Sequence, residues 1–156
     1  MVVLGEKHYT ATVFLTSVFS GVKKVLLLYH EKFNKWLPPG GHQEPLENPV
    51  EAAVREVLEE TGVDISSYIG SGKRLDERSV SLRLPDMIQE VSIGASTRDP
   101  AHVHLDMVYF VDIPASACAD VSAQPGESQQ IGWFSAQDID SLDTFDNVAE
   151  TIRELL

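Results

Sequence analysis

The sequence predicts a mixed α/β fold, and two observations carry that prediction. Residues 9–19 alternate apolar and small polar side chains and are rich in β-branched residues, which is typical of a strand. Residues 48–61 predict a helix, with Asn48 at the N-cap, Pro49 in the first turn and Gly62 at the C-terminal cap. Further strand-like segments follow this helix, so strands come both before and after it.

The remaining elements follow in chain order. Residues 24–30 predict a buried strand, and residues 31–49 predict a long loop rich in Pro and Gly, of a length that is often functional. Ser135 with Asp138 three residues later is a weak capping-box pattern. Residues 147–156 predict an amphipathic helix at the end. Four more strands are predicted at 78–84, 90–96, 102–113 and 129–134.

Composition indicates a globular protein rather than a disordered one. The 156 residues suit one domain, 1–156, and 43% of them are hydrophobic. No apolar run reaches the roughly 18 residues that span a bilayer, and the N-terminus lacks the pattern of a signal peptide. The single cysteine, Cys118, cannot form an internal disulfide. We therefore expect a cytoplasmic protein with no membrane partner.

The formal net charge is −12, from 24 acidic and 12 basic residues. A charge of this sign repels DNA, RNA and anionic lipid, so nucleic acid is not expected as a partner. A ligand that carries phosphate would need local help from a basic patch, a helix N-terminus or divalent cations.

The predicted helix carries an apolar stripe and an acidic face. Glu56, Glu59 and Glu60 are spaced i, i+3 and i+4, so they share a face that we expect to point outward. Two interpretations remain at this point: a solvated acidic face, or a site for a hard divalent cation such as Mg²⁺. The stripe, which we expect to pack on a sheet, comprises Val50, Val54, Val57, Leu58 and Thr61.

The spacing upstream of the helix favours the second interpretation. In "GHQEPLENPVEAAVREVLEETGV", from Gly41 to Val63, nine positions agree with the signature of the Nudix hydrolases, and we call this segment the Nudix box. The resemblance implies a mixed β-sheet between helices, with the box as a loop-helix-loop beside it. It also implies hydrolysis of a nucleoside diphosphate linked to another group, by water attack on phosphorus with Mg²⁺ or Mn²⁺ as cofactor.

The resemblance implies a metal-binding role for four residues. Glu56, Glu59 and Glu60 match the carboxylates that hold the metal in this family. Glu56 or Glu60 could also accept a proton from the attacking water, and the two alternatives remain open. Gly40 matches the position whose backbone carbonyl often ligates a metal.

Other positions of the box match supporting roles. Arg55 and Glu47 match a pair that usually forms an internal salt bridge, whose expected role is to orient the glutamates. Gly41 and Gly62 match positions required for the backbone conformation. Leu46 is a departure, because many relatives carry glycine before the box glutamate, and it would stiffen the loop.

Several residues outside the box are candidates for substrate binding. Trp36 could stack on a base or could equally be a packed anchor of the loop. His42 follows the double glycine and could lie near the site. Glu127 is a candidate extra carboxylate in a loop before a strand. Lys32 and Lys35 could meet phosphates or could simply be solvated.

The strand 102–113 places His102, His104 and Asp106 on one face, because side chains alternate along a strand. Three interpretations remain for these residues. They could form a polar face of the sheet with hydrogen-bonded histidines, they could line the substrate cleft, or they could bind a separate metal such as Zn²⁺.

Two other functions compete with hydrolysis. A Nudix-like protein could sense a nucleotide without cleaving it, although such relatives usually have a damaged box and this box is intact. An isomerase of an isoprenoid diphosphate would need a suitably placed cysteine, and Cys118 has no matching context. The sequence leaves open the substrate, the number of metal ions and the oligomeric state.

Overall fold

A computed structural model describes residues 2–119, 121–124 and 130–156. Two short 3₁₀ helices, Ala115–Cys118 and Ile139–Ser141, complete the regular structure. The strands and α-helices, numbered in chain order, are β1 (Lys7–Phe19), β2 (Val22–His30), β3 (Lys35–Leu37), β4 (Gly40–His42), α1 (Pro49–Thr61), β5 (Lys73–Arg74), β6 (Val80–Ser81), β7 (Met87–Ile93), β8 (His102–Asp112), β9 (Ile131–Phe134) and α2 (Asp146–Leu155).

The main sheet is mixed, which confirms the predicted α/β class. Its strand order is β3-β2-β1-β8-β7, with β4 paired to β1 and β9 paired to β2. The long pair β1–β8 is parallel, and the other pairs are antiparallel. The parallel pairing runs from Lys7 opposite Val103 to Thr16 opposite Asp112.

The sheet is packed between the two α-helices. Side chains alternate along a strand, so neighbouring residues of β1 enter different cores. Val13 and Leu15 belong to the core that contains Ala53 and Val57 of α1. Phe14 belongs to the opposite core, which contains Val148 and Ile152 of α2. Burial of both faces explains why the middle of β1 and of β2 reads as a continuous apolar run.

The caps of α1 lie where the sequence predicts them. The Asn48 side chain accepts hydrogen bonds from the backbone N–H groups of Val50 and Glu51, and the Glu51 carboxylate accepts from the N–H of Asn48. Gly62 has a φ of 75° and donates its N–H to the Leu58 carbonyl. A left-handed cap of this kind favours glycine, so the expected role of Gly62 has a physical basis.

The predicted apolar stripe of α1 is partly wrong. Leu58 is 46% exposed, whereas Ala52, Ala53 and Glu60 are buried. The buried face is therefore rotated by roughly 80° about the helix axis, toward the side that carries Glu60. The reason is that α1 packs against β4 as well as β1, and β4 covers one edge of the acidic face.

One loop prediction and two strand predictions also need correction. The loop 31–49 contains the short strands β3 and β4. The predicted strand 78–84 is reduced to β6, which pairs with β5 in a separate exposed sheet. The predicted strand 90–96 begins and ends earlier, as β7, because its last partner is His102, the first residue of β8. Among the described residues, no helix is long and apolar enough to cross a membrane.

Candidate active site

Two contacts hold the Nudix box together. Strand β4 pairs with the main sheet, and α1 packs against β4. Gly41 pairs with Ala11 of β1, and this pairing fixes the start of the box. Glu60 is only 4% exposed and accepts a hydrogen bond from the Gly40 N–H at 3.0 Å. The outward-pointing acidic face predicted from the sequence is therefore wrong for Glu60. Glu59, in contrast, is 53% exposed.

Arg55 lies at the centre of the box and is 22% exposed. Its Nε and Nη2 donate to the two carboxylate oxygens of Glu47 at 2.6 and 3.0 Å. Its Nη1 donates to both Glu56 and Glu59 at 2.9 Å. Its Nη2 also donates to the His42 carbonyl at 3.0 Å. Arg55 thus ties the loop, the strand β4 and two glutamates of the helix into one network.

This network shifts the ionisation of its members. The hydrogen bonds from Arg55 hold the pKa of the Glu47 carboxyl below its ordinary value. The same contact with Glu47, together with Glu56 and Glu59, raises the pKa of Arg55. A fork-shaped guanidinium matches this arrangement better than a lysine would, because one side chain serves three carboxylates.

Two glycines of β4 allow the close approach that the network needs. A Cβ on Gly41 would lie 2.4 Å from Oε1 of Glu56, inside the contact distance of real atoms. A Cβ on Gly40 would lie 2.3 Å from the backbone oxygen of Ala11. Gly41 therefore makes room for a carboxylate, and Gly40 makes room for the neighbouring strand.

Replacing Gly41 by alanine is expected to lower the rate of hydrolysis by about 10²-fold while the protein stays folded. The new methyl group meets the far end of the Glu56 side chain, which can move aside, and a misplacement of about 1 Å costs about that factor. Steady-state kinetics and a melting curve of the variant check this. Unchanged kinetics would show that the position of Glu56 does not matter.

The donor set of the box fits a hard divalent cation. Glu56 and Glu59 each give one oxygen to the same nitrogen of Arg55, and Glu60 gives one oxygen to the Gly40 N–H. A carboxylate has two oxygens, so one hydrogen bond does not exclude metal ligation through the other. Carboxylates gathered on one side of a helix are the ligands that Mg²⁺ and Mn²⁺ prefer.

A cleft of about 1160 Å³ opens beside the box. Gly40 and Gly41 line it where it meets the box. Two cationic side chains, Lys32 and Arg98, also line it. This volume exceeds that of a typical pocket for a drug-sized ligand, so the cleft is large enough for an extended molecule.

His102, His104 and Asp106 all lie along this cleft. Asp106 is buried and accepts hydrogen bonds from Thr10 Oγ1 at 2.8 Å, Thr12 Oγ1 at 3.0 Å and Gln89 Nε2 at 3.0 Å. Its carboxylate therefore ties β1, β7 and β8 together. The two histidines turn instead toward His8 and His42.

The four histidines pack ring against ring at the edge of the cleft. The ring centroids of His42 and His104 are 4.7 Å apart, and those of His8 and His102 are 4.9 Å apart. Burial and the neighbouring histidines lower the pKa of His104 to about 4, so this ring is neutral near pH 7. The sequence did not indicate that His8 belongs to this cluster, because its position beside His104 depends on the register of β1 with β8.

Four other candidate residues from the sequence have different outcomes. Trp36 packs edge-on against Tyr29 and Phe134, with ring centroids 5.5 and 4.8 Å away, as a packed anchor would. Stacking of Trp36 on a base stays a prediction. Glu127 lies outside the described residues, so its role also stays a prediction. Lys35 pairs with Asp143, whereas Lys32 faces the cleft.

The cleft also contains two exposed aromatic residues that no sequence pattern indicated. Phe33 and Phe145 are 41% and 40% exposed, and their ring centroids are 6.0 Å apart. The sequence carried one weak signal, because Phe33 lies in the long loop rich in Pro and Gly. Nothing in the spacing relates it to Phe145, at the N-cap of α2.

Comparison with known proteins agrees with this geometry. The family model of the NUDIX domain matches residues 8–156. The bis(5'-nucleosyl)-tetraphosphatase [asymmetrical] of Rattus norvegicus is 42% identical over 134 residues, which cover 85% of this chain and 78% of the rat protein. A NUDIX-family hydrolase from Clostridium perfringens is 27% identical and superposes with a TM-score of 0.71, covering 94% of both chains.

A more distant structure shares the fold. The Ap4A hydrolase of C. elegans, in a binary complex, is 18% identical with a TM-score of 0.61, and the match covers 95% of this chain and 94% of that one. The family match spans nearly the whole chain and includes the ordered network around Arg55. This protein therefore belongs to the NUDIX family and is a Nudix-type hydrolase that acts on phosphoric anhydride bonds.

Proposed function

We propose that this protein hydrolyses a dinucleoside polyphosphate into two unequal nucleotides, with Mg²⁺ or Mn²⁺ as cofactor. The observation that carries the proposal is the Arg55 network, which holds Glu56 and Glu59. The network adjoins a large cleft, because Glu56 lies against Gly41, Arg55 donates to the His42 carbonyl, and both Gly41 and His42 line that cleft. The substrate class is supported by the rat relative, whose name describes asymmetrical cleavage of a bis(5'-nucleosyl) tetraphosphate.

The proposed reaction adds one water across one anhydride bond. The water oxygen forms a bond to a phosphorus atom, and the bond from that phosphorus to the bridging oxygen breaks. The bridging oxygen leaves with the other phosphate chain. For a tetraphosphate cleaved next to a nucleoside-bearing phosphorus, the products are therefore a nucleoside monophosphate and a nucleoside triphosphate. A divalent cation, when bound by Glu56, Glu59 and Glu60, supplies neutralisation of the phosphate charge and activation of water.

The side chains of the box then position the charges and take up the proton. Glu56 or Glu60 accepts the proton of the attacking water, since both belong to the carboxylate group. Arg55 is a positioning residue, because it holds Glu56 and Glu59 rather than the substrate. Its ion pair with Glu47 keeps the guanidinium from turning toward the phosphates.

Electrostatics explains why a cation is needed. A tetraphosphate bridge is highly anionic, and the protein has a net charge of −12. Lys32 and Arg98 are cationic residues that line the cleft and offset part of this repulsion. Bound divalent cations would offset more of it, and so would speed association against the long-range repulsion.

Phe33 and Phe145 are proposed to hold a base of the substrate. Replacing both by alanine is expected to raise KM by at least about 10-fold, because stacking of one base on an aromatic ring contributes about 1–3 kcal/mol. The value of kcat should change little, since Phe145, against which Phe33 packs, lies at the N-cap of α2, and α2 and α1 pack in different cores. Steady-state kinetics measures both. Tyr68→Ala, which removes a ring of equal exposure outside the cleft, is the control.

The proposed function is tested with a substrate panel in the presence of Mg²⁺, Mn²⁺ or a chelator. The panel contains dinucleoside polyphosphates, nucleoside triphosphates, nucleotide sugars and ADP-ribose, and Glu60→Gln is the blank. In ¹⁸O-labelled water, the mass of each product identifies the attacked phosphorus. Unequal nucleotides from a dinucleoside polyphosphate are expected. Tight binding without cleavage would replace the hydrolase by a nucleotide sensor.

Two broader expectations accompany this proposal. The chain is proposed to act as one domain, 1–156, on a small nucleotide substrate. Its cytoplasmic location, expected from the single cysteine, stays a prediction that cell fractionation would test.

A further inference from the structure

Four of the five histidines of this protein meet at one place, where β1, β4 and β8 adjoin. They are His8, His42, His102 and His104. One ring nitrogen from each lies within 4.8 Å of the corresponding nitrogens of the others. Among the described residues, this is the one group of three or more His, Cys, Asp or Glu side chains with ligand atoms so close together.

We propose that these four histidines bind one transition-metal ion, with Zn²⁺ as the expected ion, at a site separate from the Nudix glutamates. Imidazole nitrogens suit Zn²⁺, Cu²⁺ and Ni²⁺, whereas carboxylates suit Mg²⁺ and Mn²⁺. The histidines would therefore select a transition-metal ion, whereas the Nudix glutamates would select Mg²⁺ or Mn²⁺. Neither the NUDIX domain match nor the names of the relatives describes such a site.

The spacing of the nitrogens supports a tetrahedral site. Zn–N bonds of about 2.0–2.1 Å at tetrahedral angles place neighbouring nitrogens about 3.3 Å apart. His8 Nδ1 and His42 Nε2 are 3.3 Å apart, and His102 Nε2 and His104 Nε2 are 3.1 Å apart. Two edges of the tetrahedron thus already have the required length, and small ring rotations would shorten the others.

The outer partners of two rings favour lone pairs on the inner nitrogens. Nδ1 of His102 is 2.9 Å from the Pro100 carbonyl, which can only accept, so this nitrogen carries the proton. Nε2 of a neutral His102 is then an unprotonated acceptor that faces His104. On the other side, Nε2 of His8 lies 3.4 Å from the Glu6 carboxylate, which orients Nδ1 inward. Metal-bound histidines commonly donate their outer N–H to a carbonyl or carboxylate in this way.

The strands hold the ligands in place before any metal binds. His8 and His104 are register partners in the parallel pair β1–β8, and His42 follows Gly41 on β4. The His42 carbonyl also accepts from Arg55. A metal ion at this site would therefore connect β4, where the Nudix box begins, to β1 and β8 at the centre of the sheet.

The alternative is that the four imidazoles form two hydrogen-bonded pairs and bind no metal. Metal titration distinguishes this alternative from the proposed metal site. The full chain, stripped with a chelator, is titrated with Zn²⁺ against a chromophoric chelator and with Co²⁺ in the visible range. We expect one equivalent of Zn²⁺ and the strong visible absorption of tetrahedral Co²⁺. Zn²⁺ is also expected to raise Tm.

The variants assign the site. The double variant His8→Gln and His104→Gln is expected to weaken Zn²⁺ binding by at least about 100-fold, since loss of an outer-shell partner alone costs 10- to 100-fold. His30→Gln, the change of the fifth histidine, is the matched control and should bind as the wild type does. Glu60→Gln should also keep the Zn²⁺ site, so failure of the hydrolase proposal would leave this one standing.

Three results would overturn the proposal: no Zn²⁺ binding by the wild type, equal affinity in the double variant, or loss of the site in Glu60→Gln alone. Melting curves in chelator establish that the double variant is folded. If it is not, the exposed His42→Gln variant replaces it, and undiminished Zn²⁺ affinity there would likewise reject the site.

Discussion

Replacing Glu60 by glutamine is expected to lower kcat by about 10³-fold and to leave the fold intact. Glutamine keeps an oxygen that can accept the hydrogen bond from the Gly40 N–H, so the packing of this buried side chain changes little. The variant loses the negative charge that the proposed cation site needs. Loss of several kcal/mol of transition-state stabilisation corresponds to a factor of this size.

The measurement is the steady-state kcat with saturating substrate and Mg²⁺, beside a thermal melt. Glu51→Gln is a matched control, because it makes the same chemical change on the same helix. Glutamine at this position still completes the capping box with Asn48. Wild-type turnover in Glu60→Gln would reject the role of Glu60 in metal binding, whereas a large loss in Glu51→Gln would show that helix stability, not the site, controls the rate.

Replacing Arg55 by alanine is expected to damage both stability and activity. The free energy of unfolding should fall by about 2–4 kcal/mol, because three carboxylates lose the cation that pairs them in a half-buried place. This corresponds to a decrease in Tm of about 5–15 °C. The rate should fall by at least about 10²-fold, since the glutamates lose their orientation.

Two further variants separate the effect of the shape of the Arg55 side chain from the effect of its charge. Arg55→Lys keeps the charge but cannot bridge Glu47, Glu56 and Glu59 together, so it should recover part of the stability and little of the rate. Arg153→Ala removes an exposed ion pair with Asp140 and should change stability by less than about 1 kcal/mol. An Arg55→Ala variant with the melting temperature of the wild type would contradict the network described here.

The features predicted well from the sequence depend on neighbours along the chain. The helix α1, its Asn48 cap and its Gly62 cap are all local, because cap preferences act over three or four residues. The spacing of Glu56, Glu59 and Glu60 follows from the helical period alone. For these features a single sequence contains nearly all of the relevant information.

The features that were missed depend on contacts between distant segments. Burial of Glu60 and exposure of Leu58 follow from the way β4 covers one side of α1, which periodicity cannot show. Phe33 and Phe145 come together at the cleft from segments more than a hundred positions apart along the chain. The meeting of His8 with His104 depends on a strand register between residues 96 positions apart along the chain.

The parallel pairing of β1 with β8 constrains the order in which the polypeptide can assemble. Thr10 and Asp106 are nearly a hundred residues apart along the chain. Bringing them together lowers the conformational entropy of the chain before the contacts between β1 and β8 can stabilise it. The hairpin β1–β2 and the capped helix α1 need no such search. At a synthesis rate of about 5–20 residues per second, β8 is made several seconds after β1, and the edge of β1 that pairs with β8 stays unpaired during that time. An unpaired strand edge promotes aggregation, so nascent chains are exposed to aggregation in that interval.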